Sequence, residues 1–173
     1  MSGAKGSAGA ARVQGTVGLR PLPESYRALS SLGTIHYVDR FTCATDIEAT
    51  PEEWARAMFG DVPSAAETFI WRGLLGIRLS RGRSAQTVAG WRITGRGADW
   101  IRLEAASWFL TGNLVVRAAD GELSLGTFLR YDRRLAHWVW PPLSAIHRRL
   151  APGLFQEAQA RVRERRRGAA TPS

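Results

Sequence analysis

Between Asp99 and Arg133 the chain alternates too regularly to be helical. In "DWIRLEAASWFL" Ile101, Leu103, Ala105, Ser107 and Phe109 fall on one face, and Trp100, Arg102, Glu104, Ala106 and Trp108 fall on the other. A period of two is the signature of a half-buried strand. In "ELSLGTFLRYDR" Leu123, Leu125, Thr127, Leu129 and Tyr131 repeat the pattern. The connection "ADGE" predicts a two-residue hairpin, because Asp120-Gly121 tolerates the positive φ that both central positions of a type I′ turn require. "TVAGWRITG" precedes this block and ends at a Gly-Arg-Gly turn, and "GNLVVRA" lies within it. Together these segments predict at least four consecutive antiparallel strands.

The flanks supply the other elements. "TIHYVDRFTCAT", 34–45, is β-branched and aromatic and reads as a strand. Two helix starts follow. "TPEEW" puts Thr50 at the N-cap, Pro51 at N1 and Glu53 at N3, a capping box with Gly60 as the stop. "PSAAE" repeats the device with Ser64 and Glu67, ahead of an apolar stripe of Ala66, Phe69, Ile70, Gly73, Leu74 and Ile77. "LSRGRSAQ", 79–86, is polar and reads as a loop. After the strands, Pro141-Pro142 can open a helix, and Leu143, Ile146, Leu150, Leu154 and Ala158 recur at helical spacing, with Leu150 on the face that grips the sheet. Pro152 is expected to bend or split that helix.

A chain of 173 residues fits one domain. The formal charge of +9 resembles a nucleic-acid signal until it is located: +3 falls in residues 1–33, +4 in 161–173 and only +2 in between. The charge therefore belongs to the ends rather than to a folded face, and no specific nucleic-acid partner is expected. Residues 1–33 are read as a disordered tail rich in Gly, Ala and Ser, 34–160 as the folded domain, and 161–173 as a basic disordered tail. A single cysteine, Cys43, excludes an internal disulfide and fits a reducing cytoplasm. No uncharged run approaches the ~18 residues of a membrane span, and the N-terminus has no apolar signal core. His36, His137, His147 and Cys43 lack metal-ligand spacing, and no glycine-rich phosphate loop or Gly-x-Ser-x-Gly elbow is present. Neither a metal nor a cofactor is expected.

The order is strand, two short helices, antiparallel meander, long C-terminal helix. It resembles the α+β helix-grip fold of the START/Bet v 1-like (SRPBCC, polyketide cyclase and lipid-transfer) superfamily. "HRRLAPGLFQEA" after "FLRYDRRLAHWVWPPL" is similar to a bacterial family, domain of unknown function 2867. The resemblance covers roughly residues 34–160. It implies a curved antiparallel sheet wrapped on the C-terminal helix with a cavity between them, and it brings no catalytic pattern.

On that layout the expected partner is a small hydrophobic molecule, and the candidate ligand-binding residues are Trp91, Arg102, Glu104, Trp108, His147 and Leu150. Seven tryptophans could supply core or cavity wall. For His147 the plainer reading is a histidine near a helix start that bonds locally or to solvent, and the sharper one is a cavity-lining group. Arg102 and Glu104 anchor a ligand only if their strand face is the concave one, and alternation favours the solvated face. Cys43 reads as an inert core thiol. The enzyme alternative is a cyclase, dehydratase or isomerase acting through Glu104, His36 or His147 as the ionisable group. A third alternative is a protein-interaction module without a cavity. Oligomeric state is not legible.

Overall fold

A computed structural model describes residues 12–61, 69–80 and 82–169. Within them the fold is α+β. The strands are β1 Gln14–Val17, β2 Tyr37–Ala44, β3 Thr87–Val88, β4 Trp91–Arg96, β5 Trp100–Ala106, β6 Leu110–Ala119 and β7 Glu122–Tyr131. The helices are α1 Glu24–Arg27, α2 Pro51–Phe59 and α3 Ala136–Ala169, with a π-helical turn at Phe69–Leu74. The strands form one antiparallel sheet in the order β1-β2-β7-β6-β5-β4-β3.

Local signals set several of these elements. Ala119 pairs directly with Glu122, and Asp120 and Gly121 take φ of 54° and 72°, the expected tight turn. Thr50 Oγ1 accepts the Glu53 amide at 3.2 Å, and Glu53 Oε2 accepts the Thr50 amide at 2.7 Å. These hydrogen bonds hold the Glu53 carboxyl below its ordinary range, although the group is mostly solvated. Thr50→Ala is expected to cost about 1 kcal/mol, read as a shift in the urea unfolding midpoint with unchanged slope. An unchanged midpoint would show that α2 does not depend on its cap.

Elsewhere the structure departs from the sequence reading. "TVAGWRITG" is not one strand. Ala89 and Gly90, with φ of 48° and 81°, turn β3 back onto β4. The capping residues Ser64 and Glu67 lie outside the described residues, and the described end of that segment is the π-helical turn. The C-terminal helix begins five residues before Pro141 and continues through Pro141, Pro142 and Pro152 without splitting. Its 34 residues span about 50 Å at the α-helical rise. No helix among the described residues is long and apolar enough to cross a membrane.

Neither end is the disordered tail expected, as far as it is described. Residues 1–11 and 170–173 lie outside the described residues. β1 pairs with β2 along its whole length, and Leu22 and Tyr26 are buried. These two side chains meet Val38, Val115 and Phe128 on one face of the sheet, with Leu29, Leu32 and Ile35 around them. Gly126 lies under the Tyr26 ring, where a Cβ would come within 2.8 Å of it. The basic segment continues α3: Val162 is buried, Arg161 donates to the Ala57 carbonyl at 2.7 Å, and Arg163 pairs with Asp46 at 3.0 Å.

The opposite face of the sheet carries the larger core. It receives Ile101, Leu103 and Ala105 of β5, Leu114 and Val116 of β6, and Leu123, Leu125 and Leu129 of β7. Trp54 and Met58 of α2 and Phe155 and Ala158 of α3 close over them. The face of α3 that is buried comprises Ala136, Trp140, Ser144, Ala151, Phe155, Ala158, Gln159 and Val162. It matches the stripe read from the sequence only in part: Ala158 is buried and Leu143 and Leu154 pack against the core, but Ile146 and Leu150 are 48% and 59% exposed. The small residues Ser144, Ala151 and Ala158 lie on the buried face, and Ile146 and Leu150 fall to its flank.

Candidate functional site

A cavity of about 450 Å³ lies between the inner face of the sheet and α3. This is within the range of about 300–1,000 Å³ usual for small-molecule sites. Leu110 and Leu114 of β6, Leu125 and Leu129 of β7, and Trp91 of β4 form the sheet side. Phe59, Trp71, Leu75 and Ile77 close one end, and Trp140, Leu143, Ala151 and Leu154 of α3 form the roof. Trp71 meets Trp91 edge-to-face at 5.6 Å and Phe59 at 6.3 Å, so three aromatic rings brace that end. Gly112 has no side chain to fill the floor, and a Cβ there would press on Leu129 and Trp91. The exposed Ile146 and Leu150 also line the cavity and therefore mark its rim.

Its polar lining comprises Thr127, His147 and Glu157, with the indole N–H groups of Trp91 and Trp140 buried and without a hydrogen-bond partner among the described residues. Glu157 pairs outward with Arg161. Thr127 and His147 meet: Thr127 Oγ1 lies 3.1 Å from His147 Nε2. The same nitrogen lies 3.3 Å from Asp39 Oδ2 on β2. Asp39 is fully buried and does not line the cavity, whereas His147, which contacts it, does. The Tyr37 hydroxyl donates to Asp39 Oδ2 at 2.6 Å. Burial, and after it the negative charge of Asp39, pushes the Tyr37 phenol far above its ordinary value, so it remains a donor. Asp39 Oδ1 has no hydrogen-bond partner among the described residues. Rings fix the imidazole: Trp140 at 5.9 Å, Phe41 at 6.0 Å, with Tyr37 edge-on to Trp140 at 5.2 Å. A buried carboxylate is tolerated only when paired, and His147 and Tyr37 are the groups that pair it.

Three of the six residues singled out from the sequence meet here: Trp91, His147 and Leu150 line the cavity. The other three do not. Arg102 and Glu104 point to the opposite sheet face, because their strand alternates with Leu103 and Ile101 in the core. There Arg102 donates to the carbonyls of Leu29 and Thr94, both at 3.0 Å. Glu104 accepts from Ser31 Oγ at 2.7 Å and from Asn113 Nδ2 at 3.2 Å. Both residues pin the N-terminal segment to the sheet, away from the cavity. Trp108 sits in the β5–β6 connection, 61% exposed and packed on Phe109. His36 is also elsewhere: it accepts the Tyr131 amide at 3.0 Å and stacks on that ring. Cys43 is buried, bonded by Gln159 Nε2 at 2.9 Å, and burial raises its thiol pKa, which keeps it protonated and unreactive.

Asp39, Tyr37 and Thr127 were missed from the sequence. The signal was present: 37, 39, 41 and 43 share one strand face, and Asp39 is the charged residue on a face that holds Phe41 and Cys43 in the core. Among the described residues no three metal-ligating side chains cluster. No family model, curated protein or solved structure matches this chain.

Proposed function

We propose that this protein holds a small, largely apolar molecule in the cavity between its sheet and α3. The observation that carries the reading is the cavity itself, walled by aliphatic and aromatic side chains with one polar spot at Thr127 and His147. The antiparallel sheet backed by a long C-terminal helix is a helix-grip-like layout, and a cavity between sheet and helix is what that layout implies. An interaction module without a cavity is the weaker reading, because it predicts solid packing where this space is found. The enzyme alternative draws on one observation, the imidazole–carboxylate contact at the cavity wall, since a carboxylate-bound imidazole is a common form of general base.

A neutral environment-sensitive dye such as Nile red is expected to bind with a Kd of about 1 μM, to quench emission from Trp71, Trp91 and Trp140, and to raise Tm. Leu154→Trp should fill the cavity and weaken the dye at least about tenfold while the fold is kept, because Leu154 is a partly buried wall residue. Dye binding that is equally tight in this variant would place the dye outside the cavity and sink the proposal. Leu150→Arg, expected from the sequence to put a charge against the sheet, instead places it at the exposed rim. Its stability change should stay within about 0.5 kcal/mol by urea unfolding.

A further inference from the structure

We propose that His147, oriented by Asp39, is the acceptor that selects what the cavity holds: apolar molecules bearing one hydroxyl group, an alcohol or a phenol. This rests on the cavity being a binding site, as argued above. An ionised carboxylate only accepts hydrogen bonds, and Asp39 Oδ2 lies 3.3 Å from His147 Nε2, so its negative charge favours the tautomer with the ring proton on Nε2 over one that sets two lone pairs against each other. The Tyr37 hydroxyl donates to the same carboxylate and holds it in place from behind. Nδ1 is then left with a lone pair, and it has no hydrogen bond among the described residues. Thr127 Oγ1, also a wall atom, can share the Nε2 proton, which leaves its own hydrogen to donate. An acceptor beside a donor matches a hydroxyl, which both donates and accepts. A hydrocarbon leaves both groups unsatisfied. A carboxylate offers no proton to Nδ1 and brings a second negative charge towards buried Asp39.

The test compares 2-naphthol, naphthalene and 2-naphthoate by quenching of cavity tryptophans in the full chain. Naphthalene reports the cavity, and the difference among the three reports the polar group. The wild-type protein should bind 2-naphthol at least about tenfold more tightly than either of the others, because a site built to bond a hydroxyl discriminates against analogues lacking it. In His147→Phe, which keeps an aromatic ring at the wall, the advantage over naphthalene should fall to about twofold or less, with naphthalene itself unchanged. Asp39→Asn should also remove the advantage, since an amide can donate to Nε2 and drive the proton to Nδ1. Nitrogen-15 NMR of the imidazole should show the Nε2–H form in the wild-type protein and the other tautomer in Asp39→Asn. This readout holds whatever binds. A naphthol preference that survives His147→Phe, tightest binding by the carboxylate, or an Nδ1–H imidazole in the wild-type protein would overturn the proposal while leaving the cavity reading intact. If none of the three probes binds, both fail together.

Discussion

Removing residues 1–33 is expected to destabilise the protein by on the order of 5 kcal/mol or more, enough to unfold or aggregate it. Leu22 and Tyr26 are 3% and 4% exposed, and each buried side chain of that size contributes about 1.5–3 kcal/mol. Their loss uncovers Val38, Val115 and Phe128, none of them more than 1% exposed in the intact structure. It also strips β1 from the edge of β2, leaving a row of unpaired backbone groups open to association. On the same surface, Asn113 Oδ1 loses the Ser31 amide at 2.8 Å and the Ser30 hydroxyl at 2.9 Å, and Asn113 is fully buried. Arg40, whose guanidinium lies 4.6 Å above the Tyr26 ring, loses that ring as well. Urea unfolding of the truncated chain, alongside Tyr26→Ala as a full-length check, measures the effect. A midpoint within about 1 kcal/mol of the intact protein would show that this segment rests on the sheet without stabilising it.

Phe155→Ala is expected to cost about 3–5 kcal/mol and to abolish dye binding. Phe155 is fully buried at the centre of the α3 contact with the core, between Ala151 and Ala158. The small flanking residues fix the helix close to its neighbours, so the space left by the ring cannot be refilled by a nearby large side chain. The cavity roof is the same helix, from Trp140 to the adjacent Leu154, so loosening the anchor loosens the roof. Ile146→Ala supplies the contrast. It removes a larger aliphatic from the stripe the sequence favours, yet should change stability by less than about 1 kcal/mol because the residue is half exposed. Comparable losses in the two variants, measured by thermal and urea unfolding, would mean that α3 presents a different face to the sheet.

What the sequence determined by itself was local. The Asp120-Gly121 turn, the Thr50–Glu53 capping box and the alternation that sends Leu103 inward and Glu104 outward each depend on residues within a few positions of one another. Backbone sterics and side-chain period decide such features before any tertiary contact forms. The α+β class and the order of strand block and final helix followed from them. Only tertiary structure could decide the rest. Tyr26 reads as part of a polar tail because its partners, Val115 and Ser124, are 89 and 98 residues away, and no periodicity marks a short segment whose stability comes from a sheet it did not build. On α3, hydropathy favours Leu150 over Ala151, but close approach of a helix rewards small side chains, so Ala151 is buried and Leu150 sits at the rim. Asp39 and His147 meet across the molecule at 3.3 Å although a strand, a helix and the whole meander separate them in the chain. Neither residue alone distinguishes a solvated polar group from half of a buried pair. That distinction exists only once β2, β7 and α3 come together, burying Asp39 fully and leaving His147 part-buried against it.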